Sequence, residues 1–366
     1  MKIALLGDIA FFGRASKDGN AEWETYFKDI ACLLDTMDYV VGNLETPFSE
    51  KRKSWGAKSA YLCSSPQNVD ILKMLHVDAV TLANNHMYDY GDEAFVLTQT
   101  LLDEAGIAWY GVNGKELLIE KNGNKIAFTG FCCYSTNPLK CVEYGHYGIN
   151  EFDMKNAEKI LAKHRKAGYF NIVAVHAGIE HVNYPSLETI AVAKKLKQTG
   201  PLIYYGHHPH VAQPVMQQDD SIIAYSLGNF CFDDTYTKIS GDKPLVKLSE
   251  DNRKSFVLVV SIENNVICGF NVVPIYIGTD KIHLGRGMDM QQLSLLQRKM
   301  ESTKFEEYEQ MRSEQRKAWL KPRRAARDAK WVLKRIRPRY FLLMLTNRLN
   351  TWKYDKHVSR YLRNNQ

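Results

Sequence analysis

Through roughly the first 280 residues, short apolar runs rich in branched and aromatic side chains alternate with longer stretches of helical periodicity. KIALLG (2–7), DYVVGN (38–43), DAVTLA (78–83), KIAFTGF (125–131), NIVAVHA (171–177), LIYYG (202–206) and IIAYSLG (222–228) predict buried strands. Each is short, rich in Val, Ile and aromatics, and bounded by turn-forming residues. Helical candidates lie between them at 21–37, 66–76, 91–105, 152–168 and 186–199. In the second, Ser65 is placed to cap and Pro66 suits the first helical position. Such alternation predicts an α/β fold built in layers. FVLVVSIE (256–263) and VICGFNVVPIYI (266–277), joined by Asn264 and Asn265, read as a hairpin that ends the sheet antiparallel. After about residue 288 strand signals stop; 290–320 is charged and helix-prone, and Pro322 and Pro338 divide the remainder of the chain. A boundary between 280 and 290 gives a body, residues 1–285, and a helical, basic C-terminal extension, residues 286–366.

A length of 366 residues with 45% hydrophobic content allows a sizeable core, in one large domain or two of ordinary size. No apolar run approaches the roughly 18 residues that span a bilayer. MKIALLGDIAFFGR reads as a first strand rather than a signal peptide, which predicts a mature cytoplasmic start. Cys32, Cys63, Cys132, Cys133, Cys141, Cys231 and Cys268 are scattered, odd in number and without a CxxC pair. That argues against a disulfide framework or a thiolate zinc site, and predicts buried free thiols. Charge is unevenly divided. Residues 311–366 hold seventeen Lys and Arg against three Asp and Glu, a net +14, so the overall +7 leaves −7 on residues 1–310. An acidic body carries a basic tail.

In α/β sheets ligands sit at the carboxyl ends of strands, and the unusual polar residues gather there. Asp8 follows the first strand; Asn43 and Glu45 follow the second; Asn84, Asn85, His86 and Asp89 follow the third. His176, Glu180 and His181 lie at and beyond the end of NIVAV, His207, His208 and His210 follow LIYYG, and Asn229 follows IIAYSLG. Charged and amide groups so near a core destabilise it unless paired or bound. Imidazole with carboxylate and amide oxygen suits divalent Zn, Mn or Fe. Pro209 holds a loop from which two imidazoles leave the sheet edge close together. The remaining histidines, His76, His146, His164, His283 and His357, are expected to be structural or solvated.

LLGDIAFFGR (5–14), VGNLETPFS (41–49), TLANNHMYDYG (81–91), VHAGIEH (175–181), YGHHPHVAQP (205–214) and YSLGNFCFD (225–233) together resemble the CapA family, implicated in making or anchoring poly-γ-glutamate capsule. More broadly they resemble the calcineurin-like metallophosphoesterase fold. The resemblance covers roughly residues 1–235 and implies a layered α/β/β/α sandwich. It implies Asp8, Glu45, Asn85, His176, His208 and His210 as ligands of one or two divalent ions (Mn, Zn, Fe or Mg). It also implies His86, Glu180 and His207 in catalysis, with Asn229 and His181 facing substrate. Two departures stand out. Phosphoesterases usually continue Asp-x-His, whereas Asp8 is followed by Ile9 and Ala10, so one ligand of a first metal is missing. Within VHAGIEH, Ala177 stands where Trp is common in the family and His181 where Tyr is common.

The expected activity is metal-dependent hydrolysis or transfer, at a phosphoester or at an amide, in capsule or surface-polymer production. The alternatives are an accessory protein without turnover and a general phosphoesterase on small substrates. No GxxxxGK[ST] string offers an ATP site, so energy for synthesis enters through a partner synthase or an activated substrate. Expected partners are an anionic polymer or its precursor. The tail, 321–366, interleaves cations with aromatic residues and suits peripheral contact with the inner membrane face, or docking on an acidic partner; no nucleic acid is expected.

Overall fold

The computed structural model describes all residues except 51–53, 57, 59, 237–242, 326–337, 361 and 363–366. Two sheets pack face to face. The first runs in the order β16 (Ile282–Leu284), β15 (Val266–Ile277), β14 (Lys254–Glu263), β1 (Lys2–Ile9), β2 (Tyr39–Leu44), β3 (Ala79–Thr81) and β4 (Ala108–Tyr110), with β13 (Asn229–Cys231) also pairing to β1. The second runs β11 (Val215–Gln218), β12 (Ser221–Ala224), β10 (Leu202–His207), β9 (Phe170–His176), β6 (Asn124–Cys132) and β5 (Leu117–Lys121). A two-stranded pair, β7 (Cys141–Val142) and β8 (Ile149–Asn150), lies apart.

The pleat of β1 shows why its sequence is apolar throughout. Ile3 and Leu5 face the second sheet, packing with Phe128, Ile172 and Ile203. Ala4 and Leu6 face the outer layer of α1 (Trp23–Leu34), α2 (Val69–Met74) and α3 (Gly91–Glu104). On the far side, Val173, Val175 and Tyr204 meet α4 (Met154–Lys166) and α5 (Leu187–Gln198). Strands covered on both faces read as continuous hydrophobic runs. The result is the layered α/β/β/α, metallophosphoesterase-like sandwich with a C-terminal helical extension.

All the predicted strands occur. The hairpin joining β14 and β15 turns through Asn264 and Asn265 at φ +51° and +63°, the left-handed values that asparagine tolerates. Several short strands, β4, β5, β11 and β16 among them, had no run long enough to be read. Ser65 makes no side-chain cap; Pro66–Asn68 forms a single 3-10 turn before α2. After α6 (Glu250–Arg253) come α7 (Met290–Ser302) and α8 (Phe305–Ala325), and α8 continues through Pro322 instead of stopping there. Proline removes one backbone bond, to the Ala318 carbonyl, and residue 318 is exposed to water near the end of the helix. Pro338 opens α9 (Pro338–Tyr354) as its first residue. The cysteines are free, but Cys32 and Cys268 are exposed and Cys63 is half-buried, so burial holds for the other four alone.

The extension packs on the body. Leu293 of α7 is buried in the layer between the sheets. On α8, the Tyr308 hydroxyl donates to the Pro185 carbonyl (2.8 Å) and the Arg312 Nε to the Tyr184 carbonyl (3.3 Å). Among the described residues no helix is long and apolar enough to cross a membrane.

Candidate metal centre

Parallel pairing aligns the carboxyl ends of β1, β2 and β3 in one sheet and of β9 and β10 in the other. Asp8 lies in register with Asn43 on β2 and with Asn229 on β13, and His176 with His207. Two glycines allow the approach. A Cβ on Gly7 would sit 2.0 Å from the Gly228 carbonyl oxygen, and one on Gly206 1.9 Å from that of Tyr225. Either side chain would push apart the strand ends that carry Asp8 and His207.

Asp8 is fully buried and densely bonded. Its Oδ1 accepts from Asn43 Nδ2 (2.8 Å) and lies 2.9 Å from His207 Nδ1; its Oδ2 accepts from the His208 backbone N–H (3.3 Å) and lies 3.3 Å from His210 Nδ1. Burial alone would raise its pKa, but His207 and His210 outweigh it and hold the carboxyl well below the usual range.

Glu45 is the opposite case. It is fully buried, and neither carboxylate oxygen has a hydrogen-bond partner among the described residues. Burial, with the nearby Asp8 charge, pushes its pKa well above the ordinary value, against the pull of His210. His210 Nε2 lies 3.6 Å from Glu45 Oε1 and His176 Nε2 3.8 Å from it, too long for hydrogen bonds. His207 Nε2 and His208 Nδ1 are likewise buried without partners among the described residues. Buried polar groups are almost always satisfied. Of the orphaned groups here, Glu45 and His208 each fall in a group of potential ligands that also holds His210, an arrangement that fits a divalent cation.

Asp8, Glu45 and His210 bring one ligand atom each within 4.8 Å of one another, and so do Glu180, His208 and His210. His210 belongs to both groups. His176 belongs to neither, but its Nε2 is 2.8 Å from Asn85 Oδ1, and its ring centroid is 5.0 Å from that of His208. Burial drives His176 well below its ordinary value, and His208 down to about 4, leaving their imidazoles neutral and available as ligands. His210 is pushed the other way: burial opposes its charge, but the Glu45 and Asp8 carboxylates raise it to about 10. His208 and His210 both hold positive φ, 95° and 56°, on either side of Pro209. Such backbone is sparsely populated by non-glycine residues and concentrates at functional sites.

His86, Glu180, His181, His210 and Asn229 line one small cavity, walled on its apolar side by Leu62, Phe232 and Leu248. The Glu180 side chain is about half exposed at the rim. Asn229 is engaged on both sides: its Oδ1 lies 2.9 Å from His210 Nδ1 and its Nδ2 donates to the Asn252 carbonyl (3.1 Å). His181 has its Nδ1 2.9 Å from Asn252 Nδ2 and its ring stacked on Trp319. His207 is buried against Tyr205, outside the residues that line the cavity.

Two parts of this site have no signal in the sequence. Lys58, in a loop with no motif, is buried with its Nζ on the Asn85 carbonyl (2.6 Å) and Asp89 Oδ1 (2.9 Å), and 3.2 Å from His86 Nδ1. Asp89 Oδ2 lies 2.7 Å from the same His86 nitrogen, so the pair fixes the ring. Trp319 reaches His181 from a helix more than a hundred residues downstream.

The model of the family described as bacterial capsule synthesis protein PGA_cap matches residues 2–234. The chain is 32% identical over 278 residues to the capsule biosynthesis protein CapA of Bacillus anthracis, covering 72% of this chain and 67% of that protein. It is 29% identical over 233 residues to the PGA biosynthesis protein CapA of Bacillus subtilis (strain 168), covering 61% and 60%. Among solved structures it is similar to the NAD nucleotidase NadN of Haemophilus influenzae, with a TM-score of 0.46 and 10% identity over 88% of this chain and 67% of that one. The matched span contains every residue of the two ligand groups, and the chain belongs to the bacterial capsule synthesis protein PGA_cap family.

Proposed function

We propose that the chain is a metal-dependent hydrolase or transferase acting on an anionic surface polymer, poly-γ-glutamate-like or polysaccharide, or on its precursor. The observation that carries this reading is Glu45: a carboxylate buried without a hydrogen-bond partner among the described residues, facing His210 and His176 across gaps that suit a cation. Asp8, Glu45 and His210, with His176, His208 and Asn85 beside them, would hold the ion. A divalent cation there supplies Lewis acidity and lowers the proton affinity of water.

The chain's own residues set the rest. Asn229 and Asp8 orient His210, and Lys58 with Asp89 orients His86 so that its other ring nitrogen faces the cavity. Burial and the Lys58 charge lower the His86 pKa, so the resting ring is neutral; it would take up a proton there and pass it to the leaving group. Glu180, exposed at the rim beside His208, is the base open to solvent. Leu62, Phe232 and Leu248 exclude water from the apolar side. His207, bonded to Asp8 and away from the cavity, positions that carboxylate and does not touch substrate. The family relatives are described as capsule and PGA biosynthesis proteins, which favours a polymer over a small phosphoester.

The reading is tested by incubating manganese- or zinc-loaded protein with poly-γ-glutamate, with an anionic polysaccharide and with a chromogenic phosphodiester. Shortening or modification of a polymer, lost in His208→Ala with the fold intact, is the expected result. Turnover of the phosphodiester alone would move the assignment to a general phosphoesterase. Full biological activity of His208→Ala would make the protein an accessory without turnover.

A further inference from the structure

Helix α9 presents a face that the body leaves uncovered. Phe341, Leu345, Leu349 and Trp352 recur at spacings of four, four and three, which places them in one stripe along the helix. They are 64%, 65%, 51% and 51% exposed. Leu342 and Met344 flank the stripe and are exposed as well. The opposite side of the helix is anchored: Asn350 is buried with its Nδ2 donating to Asn137 Oδ1 (2.9 Å), and Tyr354 packs on the cluster beneath α4 and α5 with buried Val358 and Leu362. The apolar stripe therefore points outward because the other face is already spent. Contiguous apolar surface of this kind marks an interaction site.

Charge selects the occupant. From 338 to 360 the sequence has five Lys and Arg and one acidic residue, Asp355. Arg348 falls on the exposed side of α9, and Lys356 Nζ lies 5.4 Å from the centre of the Trp352 ring. An apolar stripe bordered by long cationic side chains, with a tryptophan at its end, matches the boundary between acyl chains and anionic headgroups. A helix of 17 residues measures about 25 Å, short of the roughly 30 Å hydrocarbon core, so the match is to a helix lying in the interface plane.

We propose that α9 is a membrane-surface helix: its Phe341–Trp352 stripe enters the interface of an anionic bilayer, with Arg348 and Lys356 on the headgroups. The acidic body, net −7 over residues 1–310, would then stand off a surface of like charge, docked through this one element. The proposal does not depend on turnover or metal.

Full-length protein is sedimented with phosphatidylcholine vesicles, with and without phosphatidylglycerol. Binding is expected only to the anionic vesicles and is expected to weaken as salt is raised. The variant Phe341→Ser/Leu345→Ser/Leu349→Ser should lower partitioning at least about tenfold with an unchanged melting temperature, because those side chains face away from the body. Arg348→Glu/Lys356→Glu, which keeps the apolar stripe, should also weaken binding and remove its salt dependence. Equal binding to neutral vesicles, absence of binding, or full binding by both variants would overturn the proposal. So would self-association of the wild type that the triple serine variant abolishes without vesicle binding, which would make a second copy the occupant.

Discussion

His181 and Trp319 stack face to face, 3.7 Å between ring centroids and 16° from parallel. The contact joins the C-terminal extension to the loop that carries Glu180, so the site is completed by residues beyond the span matched by the family model. Packed aromatic pairs contribute about 1 kcal/mol beyond the area they bury. Trp319→Ala should therefore lower stability by about 1–2 kcal/mol in urea titration, and Trp319→Phe should recover most of it. Cation affinity should stay within about threefold of wild type, since His181, the ring that Trp319 stacks on, belongs to neither ligand group. A large loss of cation affinity in Trp319→Ala would show that the stack holds the ligands themselves.

Lys58 and Asp89 form a buried ion pair under His86, with side chains 5% and 0% exposed. Removing one partner of such a pair leaves the other charge stranded, which destabilises by about 3–5 kcal/mol. Lys58→Met is expected to fall in that range in denaturant titration, while Lys58→Met/Asp89→Leu should be less destabilised than the sum of the two single variants. Additive losses would mean that the two charges do not act as a pair.

Glu116 lies between His164 and Tyr144, with His164 Nε2 at 2.6 Å and the Tyr144 hydroxyl donating at 2.6 Å. Burial opposes its ionisation, but these bonds win and hold its pKa at about 2, below the ordinary 4.5. A depressed carboxyl contributes stability that is present above the unfolded value and is lost as pH falls through the folded one. The wild type should therefore lose up to about 3 kcal/mol between pH 5 and pH 2 from this group, and Glu116→Gln should already lack that contribution at pH 7. Parallel stability-versus-pH curves for the two proteins would refute the assignment.

His210 sits at about 10 because of the carboxylates around it, so the metal-free protein carries a proton there at neutral pH. Ligation needs that nitrogen neutral, so cation uptake must release the proton. Affinity should rise about tenfold per pH unit between pH 6 and pH 8, with about one proton released per ion in buffers of different ionisation enthalpy. A pH-independent affinity would place the ion away from His210.

Much of the fold and the site was legible in the sequence because strands covered on both faces must be apolar, and the polar residues that interrupt them at their ends stand out. Asp8, Glu45, Asn85, His176, His208 and His210 come from segments far apart in the chain, yet each ends or follows a strand predicted from its run. The features that escaped have no local signal. Lys58 lies in an irregular loop, and its burial arises only because Asp89 and the Asn85 carbonyl meet it there. The division expected at Pro322 does not fall there, and α8 runs on to Ala325, because a missing bond matters little where the freed carbonyl meets solvent. Short strands such as β4 and β16 form because neighbouring strands offer edges to them, and three residues carry no period of their own.

The central claim is that Glu45, Asp8 and His210 share one cation. Isothermal titration of manganese or zinc into wild type and Glu45→Gln, with melting temperatures taken alongside, tests it most directly. Wild type should bind the ion and melt higher when loaded, by about 2.7 kcal/mol at a hundredfold excess over Kd. Glu45→Gln should bind at least about tenfold more weakly and lose that increment, while its metal-free stability stays within about 1 kcal/mol, because the amide is nearly isosteric with a carboxyl whose charged form burial disfavours. Equal affinity in the two proteins, or no binding by either, would contradict the account.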